Sequence, residues 1–157
     1  MAGNLIWRGK PGAETFHGKG GDDLIQGYTG NDKLYGNSGN DSIYGEEDND
    51  RLFGEKGDDR LDGGEGKDKL KGGSGSDIFV FADGYGKDTV VDFKATGKIH
   101  DLVDLSDLSK ISDYDDLVEN HMSQKGDDVL IDGGKGAVLT LEDVDIKDLD
   151  ISDFLFF

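Results

Sequence analysis

The sequence predicts an all-β fold: a right-handed parallel β-roll over residues 1–80, followed over 81–157 by a mostly β capping region that contains one short helix. Three phased series predict the roll. Gly18, Gly27, Gly36, Gly45, Gly54, Gly63 and Gly72 are spaced nine residues apart, and Asp23, Asp32, Asp41, Asp50, Asp59, Asp68 and Asp77 repeat at the same period. Two residues after each Asp stands an apolar side chain, in the order Ile25, Leu34, Ile43, Leu52, Leu61, Leu70 and Phe79. A flexible acidic linker has no reason to lock apolar residues in phase with glycine and aspartate, whereas a solenoid must.

Each unit from Gly18 to Val80 reads G-x-x-G-x-D-x-U-x, with U apolar. One apolar residue in nine is too sparse for a helix stripe. Three residues x-U-x do make a short strand, with U turned inward and its neighbours outward. The other six form a turn whose glycines accept positive φ. Two strands and two turns close a coil of eighteen residues, and coils stack at the ~4.8 Å spacing of a sheet. The fourth position holds Gly21, Gly30, Gly39, Gly57, Gly66 and Gly75, with Asp48 as the exception. A degenerate unit precedes the others at residues 9–17, with Glu14 in the Asp place and Phe16 in the apolar place.

After residue 80 glycine thins and longer apolar runs begin. Strands are expected at Phe79–Phe81, Thr89–Phe93, Leu102–Leu105, Val129–Ile131, Ala137–Leu141 and Phe154–Phe157, with Lys135-Gly136 as a hairpin turn. Ser112-Asp113-Tyr114-Asp115 reads as a helix cap, with Leu117, Val118 and Met122 on one face. This half covers the open end of the roll, as a solenoid requires. Asp88, Asp92 and Asp101 read as solvated charges or as holders of a further ion.

Composition removes several functions. Among 157 residues there are 35 Asp+Glu, 17 Lys+Arg, one proline and no cysteine, for a net charge of −18. Without cysteine there is neither a disulfide framework nor a thiolate zinc site. The acidic surplus argues against nucleic acid as a partner. No run approaches the ~18 apolar residues of a membrane span, and the first residues lack the apolar core of a secretory signal. His17, His100 and His121 never stand in H-E-x-x-H spacing, and neither a G-x-S-x-G elbow nor a P-loop occurs. The chain reads as a non-catalytic, monomeric module.

Stacking the turns of alternate repeats places Asp23, Asp41, Asp59 and Asp77 on one edge of the roll and Asp32, Asp50 and Asp68 on the other. Carboxylates ~5 Å apart repel by about 1 to 3.5 kcal/mol for effective dielectrics between 80 and 20. A cation must offset this. Hard oxygen donors in flexible turns suit Ca²⁺ better than Mg²⁺, whose octahedron is strict.

Residues 72–80, Gly-Gly-Ser-Gly-Ser-Asp-Ile-Phe-Val, and 36–44, Gly-Asn-Ser-Gly-Asn-Asp-Ser-Ile-Tyr, resemble the RTX nonapeptide G-G-x-G-x-D-x-U-x. The resemblance implies that Asp carboxylates and turn carbonyls from repeats n and n+2 share one ion. The metal-binding set is then Asp23, Asp32, Asp41, Asp50, Asp59, Asp68 and Asp77, with Gly18, Gly27, Gly36, Gly45, Gly54, Gly63 and Gly72, and third-position Ser38, Glu47, Lys56, Glu65 and Ser74. It implies about five ions, in a range of four to eight, with a sixth if Glu14 takes part. The family's second glycine survives only as Gly64 and Gly73, replaced elsewhere by Lys19, Tyr28, Asn37, Glu46 and Glu55. The turn at 46–50, which contains Asp48, is expected to bind differently.

The second half is similar to the region that follows the repeats in type I-secreted bacterial proteins, including serralysin-type proteases and the R-modules of mannuronan C-5-epimerases. Asp153-Phe154-Leu155-Phe156-Phe157 resembles their C-terminal export signal, which implies type I secretion machinery as a partner and an extracellular location. Outward rows of one sheet gather Lys33, Arg51 and Lys69 beside Tyr35, Phe53 and Lys71. Cations that pair with uronate carboxylates, and rings that stack on sugar faces, suit an anionic polysaccharide such as alginate. Two functions stay open: a calcium-dependent polysaccharide-binding module, or a calcium-triggered folding and export domain with no carbohydrate ligand.

Overall fold

The computed structural model describes residues 3–156. The repeats form β1 (Ile6–Arg8), β2 (Thr15–His17), β3 (Leu24–Thr29), β4 (Lys33–Ser38), β5 (Ser42–Glu47), β6 (Arg51–Lys56), β7 (Arg60–Glu65), β8 (Lys69–Ser74) and β9 (Ile78–Val80). The remainder adds β10 (Lys87–Val90), β11 (Leu102–Asp104), β12 (Met122–Lys125), β13 (Asp128–Gly134), β14 (Ala137–Leu141) and β15 (Phe154–Leu155). Successive strands alternate between two sheets, giving a parallel β-solenoid of about five turns. One sheet runs β1-β3-β5-β7-β9-β11-β15 and is parallel throughout. The other runs β12-β13-β14-β10-β8-β6-β4-β2.

Register follows the repeat. Leu24 pairs with Ser42, Ser42 with Arg60, and Arg60 with Ile78, each step one coil of eighteen residues. The apolar residue of every unit therefore lands in one column. Ile25, Ile43, Leu61, Phe79 and Val103 line one sheet, and Leu34, Leu52, Leu70 and Val90 the other, all with no exposed surface. At the first coil the column ends on Trp7 and Phe16, whose rings stack 4.2 Å apart. β1 carries this column one coil before the first unit legible as a repeat.

Most repeat strands are six residues long rather than three, because the ladder continues past the first-position glycine into the turn. That continuation requires a left-handed residue at the second position. Tyr28, Asn37, Glu46 and Glu55 adopt φ of 73–80° there, at a cost of about 1–2 kcal/mol each, while Gly64 and Gly73 sit there without strain. Asp48 has φ 80°, whereas the equivalent Gly39 and Gly57 have 125° and 121°. Its carboxylate also accepts the Gly30 N–H at 3.0 Å. In the neighbouring turns, main-chain carbonyls of Ser38, Lys56 and Ser74 take the N–H of Gly21, Gly39 and Gly57 instead. The turn flagged by sequence is thus built differently.

The second half departs from expectation beyond small shifts of strand ends at β9, β11 and β13. β10 occupies 87–90 rather than 89–93, because its register on β8 aligns Thr89 with Lys69. β12, a polar strand, was not expected; it pairs antiparallel with β13, which is joined to β14 through Lys135 and Gly136 at φ 54° and 93°. The helix is a short turn, Tyr114–Asp116, capped by Asp113 within the expected stretch, and widens into a π-turn at Leu117–His121. That widening rotates Val118 outward to 41% exposure while Leu117 stays buried. The expected strand at 154–157 covers Phe154–Leu155, and Phe157 lies outside the described residues. No helix is long and apolar enough to cross a membrane among the described residues.

Two glycines separate backbone conformation from coil-to-coil contact. A Cβ at Gly66 would stand 1.7 Å from the Asp48 carbonyl oxygen, while Gly84, at φ 89°, has nothing within 4 Å. Gly84→Ala is expected to cost about 1–2 kcal/mol and Gly66→Ala more than about 3 kcal/mol in urea denaturation with calcium present. Equal losses would contradict the close stacking of turns.

Candidate calcium centre

Each turn ends in an aspartate whose two oxygens have different surroundings. Oδ1 accepts the main-chain N–H of the aspartate one coil earlier: Asp23 N to Asp41, Asp41 N to Asp59, Asp32 N to Asp50 and Asp50 N to Asp68, all at 2.7 Å, and Asp59 N to Asp77 at 3.0 Å. Oδ2 folds over the first glycine of its own turn. A Cβ on Gly36, Gly45, Gly54 or Gly72 would lie 2.2–2.3 Å from Oδ2 of Asp41, Asp50, Asp59 or Asp77. The next coil's carbonyl reaches the same point, with Gly63 O 2.5 Å and Gly72 O 2.7 Å from the Cβ positions of Gly45 and Gly54. First-position glycine therefore leaves a cradle where a carboxylate oxygen and a carbonyl oxygen converge.

From Asp32 to Asp77, nothing among the described residues satisfies that cradle. Oδ2 of Asp32, Asp41, Asp50, Asp59, Asp68 and Asp77 is buried without a hydrogen-bond partner. An unpaired buried polar atom costs about 1–3 kcal/mol, and more when charged. Burial first, and neighbouring carboxylates second, push Asp50 and Asp59 up to about 7 and Asp77 up to about 6. Asp32 and Asp41 are raised for the same reasons; burial and then the neighbouring Asp88 carboxyl raise Asp68 to about 7, while Asp88 is raised by burial and by the charge of Asp62.

The donors present fit Ca²⁺. They are all oxygen, partly from main-chain carbonyls, and no group of three or more His, Cys, Asp or Glu converges among the described residues. An ion held here must draw its remaining ligands from the turns, a donor set that favours calcium's irregular six-to-eight coordination. The first-position glycines Gly18, Gly27, Gly36, Gly45, Gly54, Gly63 and Gly72 are buried in the cradles. Ser38, Glu47, Lys56, Glu65 and Ser74 end their strands with exposed side chains, and the carbonyls of Ser38, Lys56 and Ser74 accept the N–H of Gly21, Gly39 and Gly57.

The two earliest turns are already closed. Asp23 Oδ2 accepts the Lys19 N–H at 3.1 Å, and Glu14 Oε2 accepts the Lys10 N–H at 2.6 Å. Glu14 thus occupies the aspartate place. At the other end, Asp88 and Asp101 are 2% and 0% exposed and accept the N–H groups of Asp68 and Asp77, which overturns their reading as solvated charges. Asp92, half-buried, accepts from Gly72 and Gly73. Sequence reasoning also missed a second ladder one residue before each Asp. Asn4, Asp22, Asn40 and Asp58 each accept the N–H of the residue one coil later, at 2.9–3.0 Å. A short polar side chain repeated at that position was its signal.

On the outer face of the second sheet, Lys33, Arg51 and Lys69 are register partners and exposed. Beside them the rings of His17, Tyr35 and Phe53 stack in a column at 4.3 and 4.5 Å, tilted by 7°, with Lys71 next in register. Lys67 joins Lys33, Arg51 and Lys69 around a groove of about 480 Å³ that runs along the second edge.

Residues 8–43 and 44–79 each match the RTX calcium-binding nonapeptide repeat in four copies, a span that takes in the degenerate unit. The fold is similar to the solution structures of the R3 and R2 subunits of the AlgE6 mannuronan C5-epimerase from Azotobacter vinelandii. Identities are 22% and 20%, TM-scores 0.53 and 0.50, covering 94% of this chain in both cases and 80% and 92% of those chains. It is also similar to the extracellular lipase LipA from Serratia marcescens, at 16% identity and TM-score 0.53, over 99% of this chain. The chain spans 40% of that lipase's length. Comparison with curated protein sequences finds no match.

Two measurements check the cradle. Asp59→Ala, mid-stack with an orphaned Oδ2, is expected to raise the calcium midpoint by about tenfold or more and to lower cooperativity. Asp23→Ala, whose Oδ2 is already partnered, should do less; equal effects would contradict the arrangement. Without metal, the raised carboxyls bind more protons in the folded than in the unfolded chain, whose values stay near 3.8. Metal-free stability is therefore fullest below pH ~4 and is lost as pH rises to about 7. Circular dichroism in calcium-free buffer should show more β-structure at pH 5 than at pH 8, and the reverse order would count against buried carboxyls.

Proposed function

With residues 8–79 being RTX calcium-binding nonapeptide repeats, we propose that the chain is a non-catalytic module of a secreted bacterial protein. It folds when Ca²⁺ fills its turns after type I export, then holds an anionic polysaccharide such as alginate for a polysaccharide-modifying enzyme. Calcium in the cytosol is too scarce for sites of the 10⁻⁴–10⁻³ M class typical of extracellular modules, so the chain stays threadable inside. Burial of Asp153 and Phe154 supports that order, because folding hides the acidic and aromatic part of the C-terminal segment.

The observation that carries the polysaccharide reading is the paired column on the second sheet. On a chain of net charge −18, exposed Lys33, Arg51 and Lys69 stand one strand apart beside the His17–Tyr35–Phe53 stack. The strand spacing of ~4.8 Å is comparable to one sugar unit, so successive uronates would meet successive cations. Salt bridges leave Lys33 and Arg51 free among the described residues, and Lys69 lies 3.9 Å from half-buried Glu142, too loose a pair to hold it. The likeness in fold to two subunits of a mannuronan C5-epimerase supports the same class of ligand. A second reading, a folding and export domain with calcium as its sole ligand, is favoured by the orphaned carboxylates, which require nothing further.

Titrating the calcium-loaded protein with oligo-uronates by calorimetry separates the readings. Binding should weaken as salt rises, and Lys33→Ala/Arg51→Ala/Lys69→Ala should lower affinity by about tenfold or more while calcium-dependent folding is kept. No heat at millimolar sugar, or an unchanged affinity in the triple variant, removes the polysaccharide and leaves the second reading.

A further inference from the structure

The two edges of the roll end in different ways. On the first edge, residues 91–101 lie over turn 72–77. Asp101 Oδ1 accepts the Asp77 N–H at 3.0 Å, and Oδ2 accepts the Lys94 N–H at 2.9 Å. Lys94 Nζ then donates to the Gly73 carbonyl at 2.5 Å and stands 3.9 Å from Asp101 Oδ2. A tethered ammonium thus touches one turn carbonyl and approaches one stacked carboxylate, which are the kinds of donor that the cradles elsewhere offer.

On the second edge, residues 81–88 lie over turn 63–68 in direct backbone contact: a Cβ on Gly86 would be 1.8 Å from Gly66 O. Asp88 takes the aspartate place, with Oδ1 accepting the Asp68 N–H at 3.0 Å. Both residues are 98% buried, and Asp68 Oδ2 has no hydrogen-bond partner. Among the described residues no basic side chain lies within ion-pair distance of either. The next acidic group, Asp62, adds negative charge and is engaged by the Tyr85 hydroxyl at 2.8 Å.

We propose that Asp68 and Asp88 hold a calcium ion at the end of the second edge, beyond the recognised repeats, and that the Lys94 ammonium takes the place of metal at the end of the first. The inference rests on the calcium reading above. It extends the ion-binding stack through a turn whose twenty-residue spacing hides it from the nine-residue pattern, and it makes one terminal site dependent on metal while the other is self-supplied.

Native mass spectrometry of the full chain at saturating calcium tests it, with Asp50→Asn as the control inside the repeats. Asp88→Asn should bind one ion fewer than wild type, Asp101→Asn the same number, and Lys94→Gln one more. If Asp88→Asn keeps the wild-type count while Asp50→Asn loses ions, this proposal is overturned and the calcium reading stands. If wild type binds no calcium, both fall. Should Asp88→Asn not fold, Lys94→Gln decides, and an unchanged count in that variant overturns the exchange of ammonium for metal.

Discussion

Like charges stacked one coil apart set the terms for this protein. The register that buries Ile25, Ile43 and Leu61 in one column also fixes Asp23, Asp41 and Asp59 in another, so the core cannot form without the repulsion. Each coil buries only two repeat-derived apolar side chains while ordering eighteen residues, too thin a core to hold the stack by itself. Main-chain N–H groups satisfy one oxygen of each carboxylate, and the ladder of Asn4, Asp22, Asn40 and Asp58 ties the turns together. From Asp32 to Asp77 the other oxygen has no hydrogen-bond partner among the described residues. A proton or a metal ion can satisfy it, and near neutral pH calcium outside the cell is the abundant candidate.

The same stacking organises the outer face. Lys33, Arg51 and Lys69 are far apart in the chain and become neighbours only when coils are in register, as do the rings of His17, Tyr35 and Phe53. Calcium occupancy and any binding on that face are therefore thermodynamically linked. Whatever favours the stacked coils favours calcium and would favour any ligand of that face. Strain is tolerated within this scheme: Tyr28, Asn37, Glu46 and Glu55 hold left-handed backbone so that the ladder can pass into the turn.

What the sequence revealed was whatever obeyed the period. Nine-residue phase gave the two sheets, the inward columns and both rows of carboxylates, because spacing alone dictates those positions. Asp88 and Asp101 stood out in the sequence as solvated charges or holders of a further ion, but their place in the stack did not, because insertions move them twenty and twenty-four residues from their partners although the stacking geometry is kept. β1 escaped because Leu5 stands in the aspartate place and carries no carboxylate, while its N–H still reaches Asp23 Oδ1 at 2.7 Å. The polar β12 and the outward Val118 depend on tertiary pairing and on a π-turn, neither of which leaves a periodic trace.

Small-angle scattering at neutral pH, recorded on one sample before and after chelation and again after calcium is restored, tests whether metal holds the coils together. A folded chain of this length has a radius of gyration of about 15–20 Å and an unfolded one about 40 Å. The account predicts the small value with calcium, expansion toward the large value on chelation, and full recovery on readdition. A radius that stays small in chelator, with β-structure retained, would contradict it.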